Sequence, residues 1–201
     1  MTRTKVCGIT SREELDAVVR AGVDAVGFVT EVPVDTHRKL DRDETRELVD
    51  ETPPFVTTVA VTMPDDDDNA EALARETGAD AVQVHNGVGA SGAARHAKIV
   101  ERTEFEEPSD EADAVIVDST DAEGAGGTGE KTDWGAAARF VDKTALPVVL
   151  AGGLEPSNVA RAIRRVEPYA VDVSSGVERN GTKDDVLVGN FVRGVDDADA
   201  V

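Results

Sequence analysis

The chain carries a single cysteine, Cys7, inside the stretch KVCGIT, where an apolar run gives way to a helix start signal. A lone thiol makes no internal disulfide. As a thiolate it is a base and a nucleophile, and a helix N-terminus close by favours that form. The same residue type is also a common small core side chain. Asp118 directly follows the run AVIV. A carboxyl at the mouth of a buried strand can serve as an acid when burial favours its protonated form, or it can brace a loop. Asp172 lies within AVDVS, with apolar neighbours on both sides. It therefore points to an interior where a charge needs partners, and either substrate contact or bracing of the loops would supply a use for it. Gln83 and His85 share one face of their run by period two and read as a buried, hydrogen-bonded pair.

Glycines supply a second kind of chemistry. AGGL contains Gly152 and Gly153, and SSGVE contains Ser175 and Gly176. Turns without a Cβ let backbone N–H groups approach an anion such as phosphate; otherwise both are simple tight turns. A third glycine-rich stretch includes Gly127, Thr128 and Gly129, within a segment 123–131 that reads as a closing loop. Arg38 precedes a helix in a long loop, where a guanidinium can hold a carboxylate.

These residues recur at the ends of short apolar runs, and the runs alternate with helical patterns. The runs are 6–9, 25–29, 55–62, 81–85, 98–102, 114–118, 147–151 and 170–174. Helices are expected over 11–22, with a Ser11–Glu14 capping box, and over 41–51, 69–78, 90–97, 134–143, 156–166 and 184–195. Nothing convincingly helical follows the fifth run, because 104–113 is acidic and contains Pro108. Near-continuous apolar strands joined by helices make a parallel sheet buried on both faces. The expected class is α/β, a single (β/α)8 TIM barrel over residues 1–201 with an abbreviated fifth βα unit; a doubly wound open sheet shares the local pattern. In the barrel, active sites sit at the C-terminal strand ends, and phosphate sites at the loops after strands seven and eight. Cys7, Asp118 and the turns at 152–153 and 175–176 occupy those positions. The last residues, 196–201, are expected to fray.

Composition limits the partners. The chain has 41 acidic against 21 basic residues, a formal net charge of −20, spread over its whole length. No basic stripe exists to neutralise phosphates, which argues against nucleic acid. Self-repulsion of this size is screened by salt, so the excess reads as adaptation to a high-salt cytoplasm, or else as a surface for a basic partner. No apolar stretch approaches the ~20 residues that span a bilayer. One cysteine and no export signal fit a reducing, cytoplasmic setting. Aromatics are only 3% of residues, so the core must be aliphatic.

Taken together, KVCGIT, AVGFV, VQVH, VDS, GGTGEKTDW, PVVLAGGLEPSNV and AVDVSSGVERNGTKD resemble, in order and spacing, the phosphoribosylanthranilate isomerase family of tryptophan biosynthesis. The resemblance implies an Amadori rearrangement of N-(5'-phosphoribosyl)anthranilate to 1-(2-carboxyphenylamino)-1-deoxyribulose 5-phosphate, with no metal and no organic cofactor. It implies Cys7 as general base, Asp118 as general acid, Arg38 on the anthranilate carboxylate, and the glycine turns on the phosphate. Thr36-His37-Arg38 stands where the family has Ser-Pro-Arg, and Asn86 where it has Gly. Few basic residues are expected near the mouth, which argues against a second, larger substrate. The alternatives are another phosphate-binding barrel enzyme or a non-enzymatic acidic binding protein. An indole-glycerol-phosphate synthase would need lysines at strand ends, and none of the six lysines ends a run.

Overall fold

A computed structural model describes residues 1–85, 87–118 and 132–200. Eight parallel strands form a closed ring: β1 (Arg3–Cys7), β2 (Ala25–Thr30), β3 (Thr57–Val61), β4 (Ala81–His85), β5 (Lys98–Thr103), β6 (Ala114–Val117), β7 (Val148–Leu150) and β8 (Ala170–Val173). Each pairs with the next in sequence, and β1 pairs with both β2 and β8, which closes the barrel. The open-sheet alternative is thereby excluded, since an open sheet leaves two unpaired edges.

Helices α1 (Arg12–Arg20), α2 (Arg42–Glu51), α3 (Asp67–Thr77), α4 (Ala90–Ala93), α5 (Trp134–Val141), α6 (Val159–Val166) and α7 (Asp185–Asp199) wrap the ring. No helix separates β5 from β6, so the abbreviated fifth unit is present as expected. Strand residues alternate between two environments. Outward side chains such as Val6, Val26, Phe28, Leu150 and Val171 bury against α1, α6 and α7 in one aliphatic cluster. The inward side of the barrel has only small apolar groups, one around Cys7, Val59, Val61 and Ala81 and another around Ile116, Val149 and Ala170. The remaining interior is left to polar side chains.

Several boundaries differ from the sequence reading, each for a local reason. The first strand begins at Arg3 and stops at Cys7, because Gly8 turns left-handed at φ 79°. The third strand starts at Thr57, and Phe55 stands 98% exposed outside it. Helix α6 starts at Val159, after a turn in which Asn158 accepts from the Glu155 N–H and donates to the Gly153 carbonyl. The C-terminal residues do not fray from 196: α7 continues to Asp199, held by buried Val195 and Ala198. Two small additions were not foreseen, a two-residue strand Lys39–Leu40 beside β2 and an antiparallel pair, Glu178–Arg179 with Thr182–Lys183.

Glu14 also departs from a simple capping box. Ser11 Oγ does accept from the Glu14 N–H at 3.3 Å. The Glu14 carboxylate, however, accepts from the Thr10 N–H at 2.7 Å and from the Lys183 N–H at 2.8 Å. It is buried and ties the loop after β1 to the hairpin after β8. Glu14→Ala leaves those donors without a charged acceptor and should cost about 2 kcal/mol. Exposed Glu13→Ala should stay within about 0.5 kcal/mol. Urea unfolding midpoints of both variants in molar KCl measure the difference.

Candidate active site

The C-terminal ends of the strands surround a cavity whose lining includes Cys7, Arg38, His85, Arg102, Asp118 and Asp172. Cys7 ends β1 opposite Gly27 of β2. A Cβ on Gly27 would lie 2.8 Å from the Cys7 sulfur, so only glycine leaves room for the thiol there. The thiol is buried. Burial pushes its pKa up, Lys5 pulls it down and Asp172 pushes it up again, with Lys183 a further downward pull; the outcome is a raised value. The expectation of a thiolate favoured by a helix N-terminus is corrected here. Helix α1 begins only at Arg12, and desolvation dominates.

Lys5 is the residue the sequence reading passed over. It precedes Cys7 by two positions on β1, so both side chains enter the barrel. Its ammonium lies 3.0 Å from Asp172 Oδ1 and 3.3 Å from Gln83 Oε1. Burial alone would lower the Lys5 pKa, but Asp172 and Cys7 outweigh it and the value is raised. Asp172 thus faces inward as expected, and Lys5 supplies its partner. The expected Gln83–His85 pair is replaced: Gln83 serves Lys5. His85 faces Arg102, and burial together with that cation lowers its pKa to about 4, so it is neutral at pH 7.

Asp118 follows β6, three strands around the ring from β1. Arg102 of β5 faces it, Nε to Oδ2 at 3.7 Å. Arg38 lies over the first loop, where a Cβ on Gly8 would come 2.6 Å from its Cδ. Its guanidinium makes a two-pronged contact with Glu178, Nε to Oε1 at 2.8 Å and Nη2 to Oε2 at 2.7 Å. Lys183 Nζ reaches the same carboxylate at 2.5 Å. Burial raises the Glu178 pKa, but these two cations overcome it and bring the value to about 2. Arg38 therefore has an internal carboxylate in the position expected for a ligand's. The expectation of few basic residues at the mouth is corrected in part: Arg38 and Arg102 line the cavity, Lys183 meets Glu178 beside Arg38, and Lys5 lies deeper between the strands.

The turns after β7 and β8 touch. Gly152 and Gly153 adopt left-handed φ of 84° and 63°. Gly176 lies in a short 3-10 turn, Ser175–Val177, so close to the turn after β7 that a Cβ would meet the Leu154 carbonyl at 1.9 Å. Gly127, Thr128 and Gly129 lie outside the described residues. Among the described residues, no group of three His, Cys, Asp or Glu could hold a metal ion, and no helix is long and apolar enough to cross a membrane. The cavity thus offers a thiol, a carboxyl beside a guanidinium, and cations suited to an anionic ligand.

A family model for N-(5'-phosphoribosyl)anthranilate isomerase matches residues 4–194. The chain belongs to this family. A relative of that name from Haloarcula marismortui is 48% identical, over 96% of this chain and 95% of its own length. One from Haloferax volcanii is 47% identical over 96% and 92%. Among solved structures, the isomerase from Thermotoga maritima superposes with a TM-score of 0.82 at 30% identity, covering 100% of both chains. A phosphoribosyl anthranilate isomerase structure in complex with reduced 1-(o-carboxyphenylamino)-1-deoxyribulose 5-phosphate gives 0.80 at 29%, again over 100% of both chains. The activity is the aldose–ketose isomerisation of tryptophan biosynthesis, as the resemblance implied.

Which residues read as functional depended on their signal. Cys7, Asp118 and Asp172 all line the cavity. Lys5 had a usable signal, its spacing of two from Cys7, but it ends no strand. Arg102 and Lys183 had none, since their partners are distant in sequence. Gly27→Ala should push the thiol out of place. The expected result is a loss of about 1–3 kcal/mol in stability together with a fall in kcat, checked by thermal unfolding and steady-state kinetics in molar KCl.

Proposed function

We propose that Cys7 and Asp118 are the acid–base pair of this isomerase. The observation that carries the reading is that a thiol and a carboxyl line one cavity at the C-terminal strand ends. Asp118 donates a proton to the ribose ring oxygen as the C1'–O bond breaks, and the nitrogen lone pair forms the imine. Arg102 stabilises the carboxylate left behind. The Cys7 thiolate removes the C2' hydrogen, whose electrons move to give the enolamine. Loss of the hydroxyl proton and protonation at C1' yield the ketone. Atoms balance within the substrate, so the sequence needs no redox partner.

Arg38 takes the anthranilate carboxylate, in exchange for or in addition to Glu178; its fork suits a planar two-oxygen anion. The phosphate sits at the touching turns of Gly152, Gly153, Ser175 and Gly176. The reduced product analogue bound by a relative of the same fold supports a site of this size and charge. The ligand is a small molecule, and the enzyme works in a salt-rich cytoplasm; the spread of acidic residues and the halophile relatives support that setting.

Burial holds the thiol above its ordinary value, and thiols titrate above carboxyls. The productive pair, thiolate with protonated carboxyl, is then the minor of the two singly protonated forms. The rate still follows a bell. Its acidic limb reports the carboxyl, its alkaline limb the thiol, and the plateau rises as the thiol becomes more acidic.

Cys7→Ala and Asp118→Asn should each lower kcat on the order of 10²–10⁴-fold while still binding the reduced product analogue. Near-normal kcat in Cys7→Ala would return the thiol to a packing role. For the salt adaptation, the expected outcome is a thermal midpoint that climbs from low salt to molar KCl as screening relieves repulsion; equal midpoints would sink that idea.

A further inference from the structure

The general base of the proposed mechanism is a buried thiol, and a buried thiol is a poor source of thiolate. Something in the barrel must favour the charged form. The groups facing Cys7 are Lys5 on its own strand, Asp172 on β8, and Arg38, Glu178 and Lys183 at the mouth; Asp118, Arg102 and His85 line the far side of the same cavity. Arg38 and Lys183 share one carboxylate, Glu178, whose single charge offsets one of them; the pull of Lys183 on the thiol is weaker than that of Lys5.

Lys5 differs. Its side chain and that of Asp172 are only 8% and 10% exposed, and the two residues are register partners across β1 and β8. The ammonium is largely withdrawn from solvent, and desolvating an ion requires compensation. Asp172 and Gln83 supply part of it. An ammonium carries three donors, and the two-residue spacing on β1 sends it and the thiol into the same interior.

We propose that Lys5 is a positioning residue for this reaction, and that its ammonium, shared between Asp172 and Cys7, is the counter-charge of the Cys7 thiolate. Asp172 has a double role. It anchors the ammonium beside the thiol, and its own charge opposes thiolate formation. The direction of each influence on the thiol agrees: Lys5 pulls the pKa down and Asp172 pushes it up. This extends the reading of Cys7 as the base and rests on it. In the reverse-protonated regime each pH unit of added thiol acidity raises the catalytic plateau about tenfold, so the pair sets the rate without touching substrate.

Cys7 is the only thiol in the chain, so its titration can be followed directly, by thiolate ultraviolet absorbance and by alkylation with iodoacetamide across pH, on the full chain in molar KCl. Lys5→Met should raise the thiol pKa by about one pH unit or more. The kcat plateau should fall by the same factor, with KM nearly unchanged. Asp172→Asn should move the thiol the opposite way, and Lys5→Arg, which keeps the charge, should stay nearer the parent than Lys5→Met. Where Lys5→Met does not fold because Asp172 is left buried and alone, Lys5→Met/Asp172→Asn replaces it, with a thiol pKa above the parent's. A thiol that titrates unchanged without Lys5, or that rises in Asp172→Asn, overturns the proposal while leaving Cys7 as base intact. A thiol that shifts while kcat does not overturns the reading of Cys7 as the base, and with it any part for Lys5 in the reaction.

Discussion

A closed ring of eight strands forces every second side chain into one shared interior, and the rest of this structure follows from what is put there. The outward set is aliphatic and binds the helices. The inward set is too small and too poor in aromatics to fill the barrel with hydrocarbon alone. Lys5 and Asp172 occupy the middle, each buried, each compensating the other at 3.0 Å. That pair closes the β8–β1 seam from the inside and lies directly beneath the thiol. A neutral pair of similar volume would pack as well, but it would remove the cation with the largest favourable pull on the thiolate.

Charge is distributed on two scales. The surface is strongly acidic, and the chain as a whole carries a net −20. The barrel interior is the exception, with Arg38 and Arg102 lining the cavity, Lys183 beside Glu178, and Lys5 deeper between the strands. Their side chains are at most 18% exposed, so they act in a medium where charges are screened less than at the surface. Each of these cations is paired with a buried or half-buried carboxylate, Asp172, Asp118 or Glu178. Glu178 keeps two of these cations in place before any ligand arrives.

The loops show the same economy of contacts. Glycine occurs where backbone must pass close to something: Gly27 under the thiol, Gly8 beneath Arg38, and Gly176 against Leu154. Glu14 joins the first loop to the last hairpin. The site is thus framed by contacts between segments that are far apart in sequence, near the seam where the barrel closes.

From the sequence alone came the alternation of strand and helix, the missing fifth helix, and the strand-end positions of Cys7, Asp118 and the glycine turns, because period-two burial and turn chemistry are local properties. Inward-facing Asp172 was legible for the same reason. The family was legible because its motifs keep their order. Tertiary structure alone decided which charges meet: Lys5 with Asp172, Arg102 with Asp118, and Arg38 with Glu178 across 140 positions of chain. It also reversed the expected effect on the thiol. Spacing from a helix start is written in the sequence, whereas desolvation depends on everything that closes around a group, and only the closed ring supplies that.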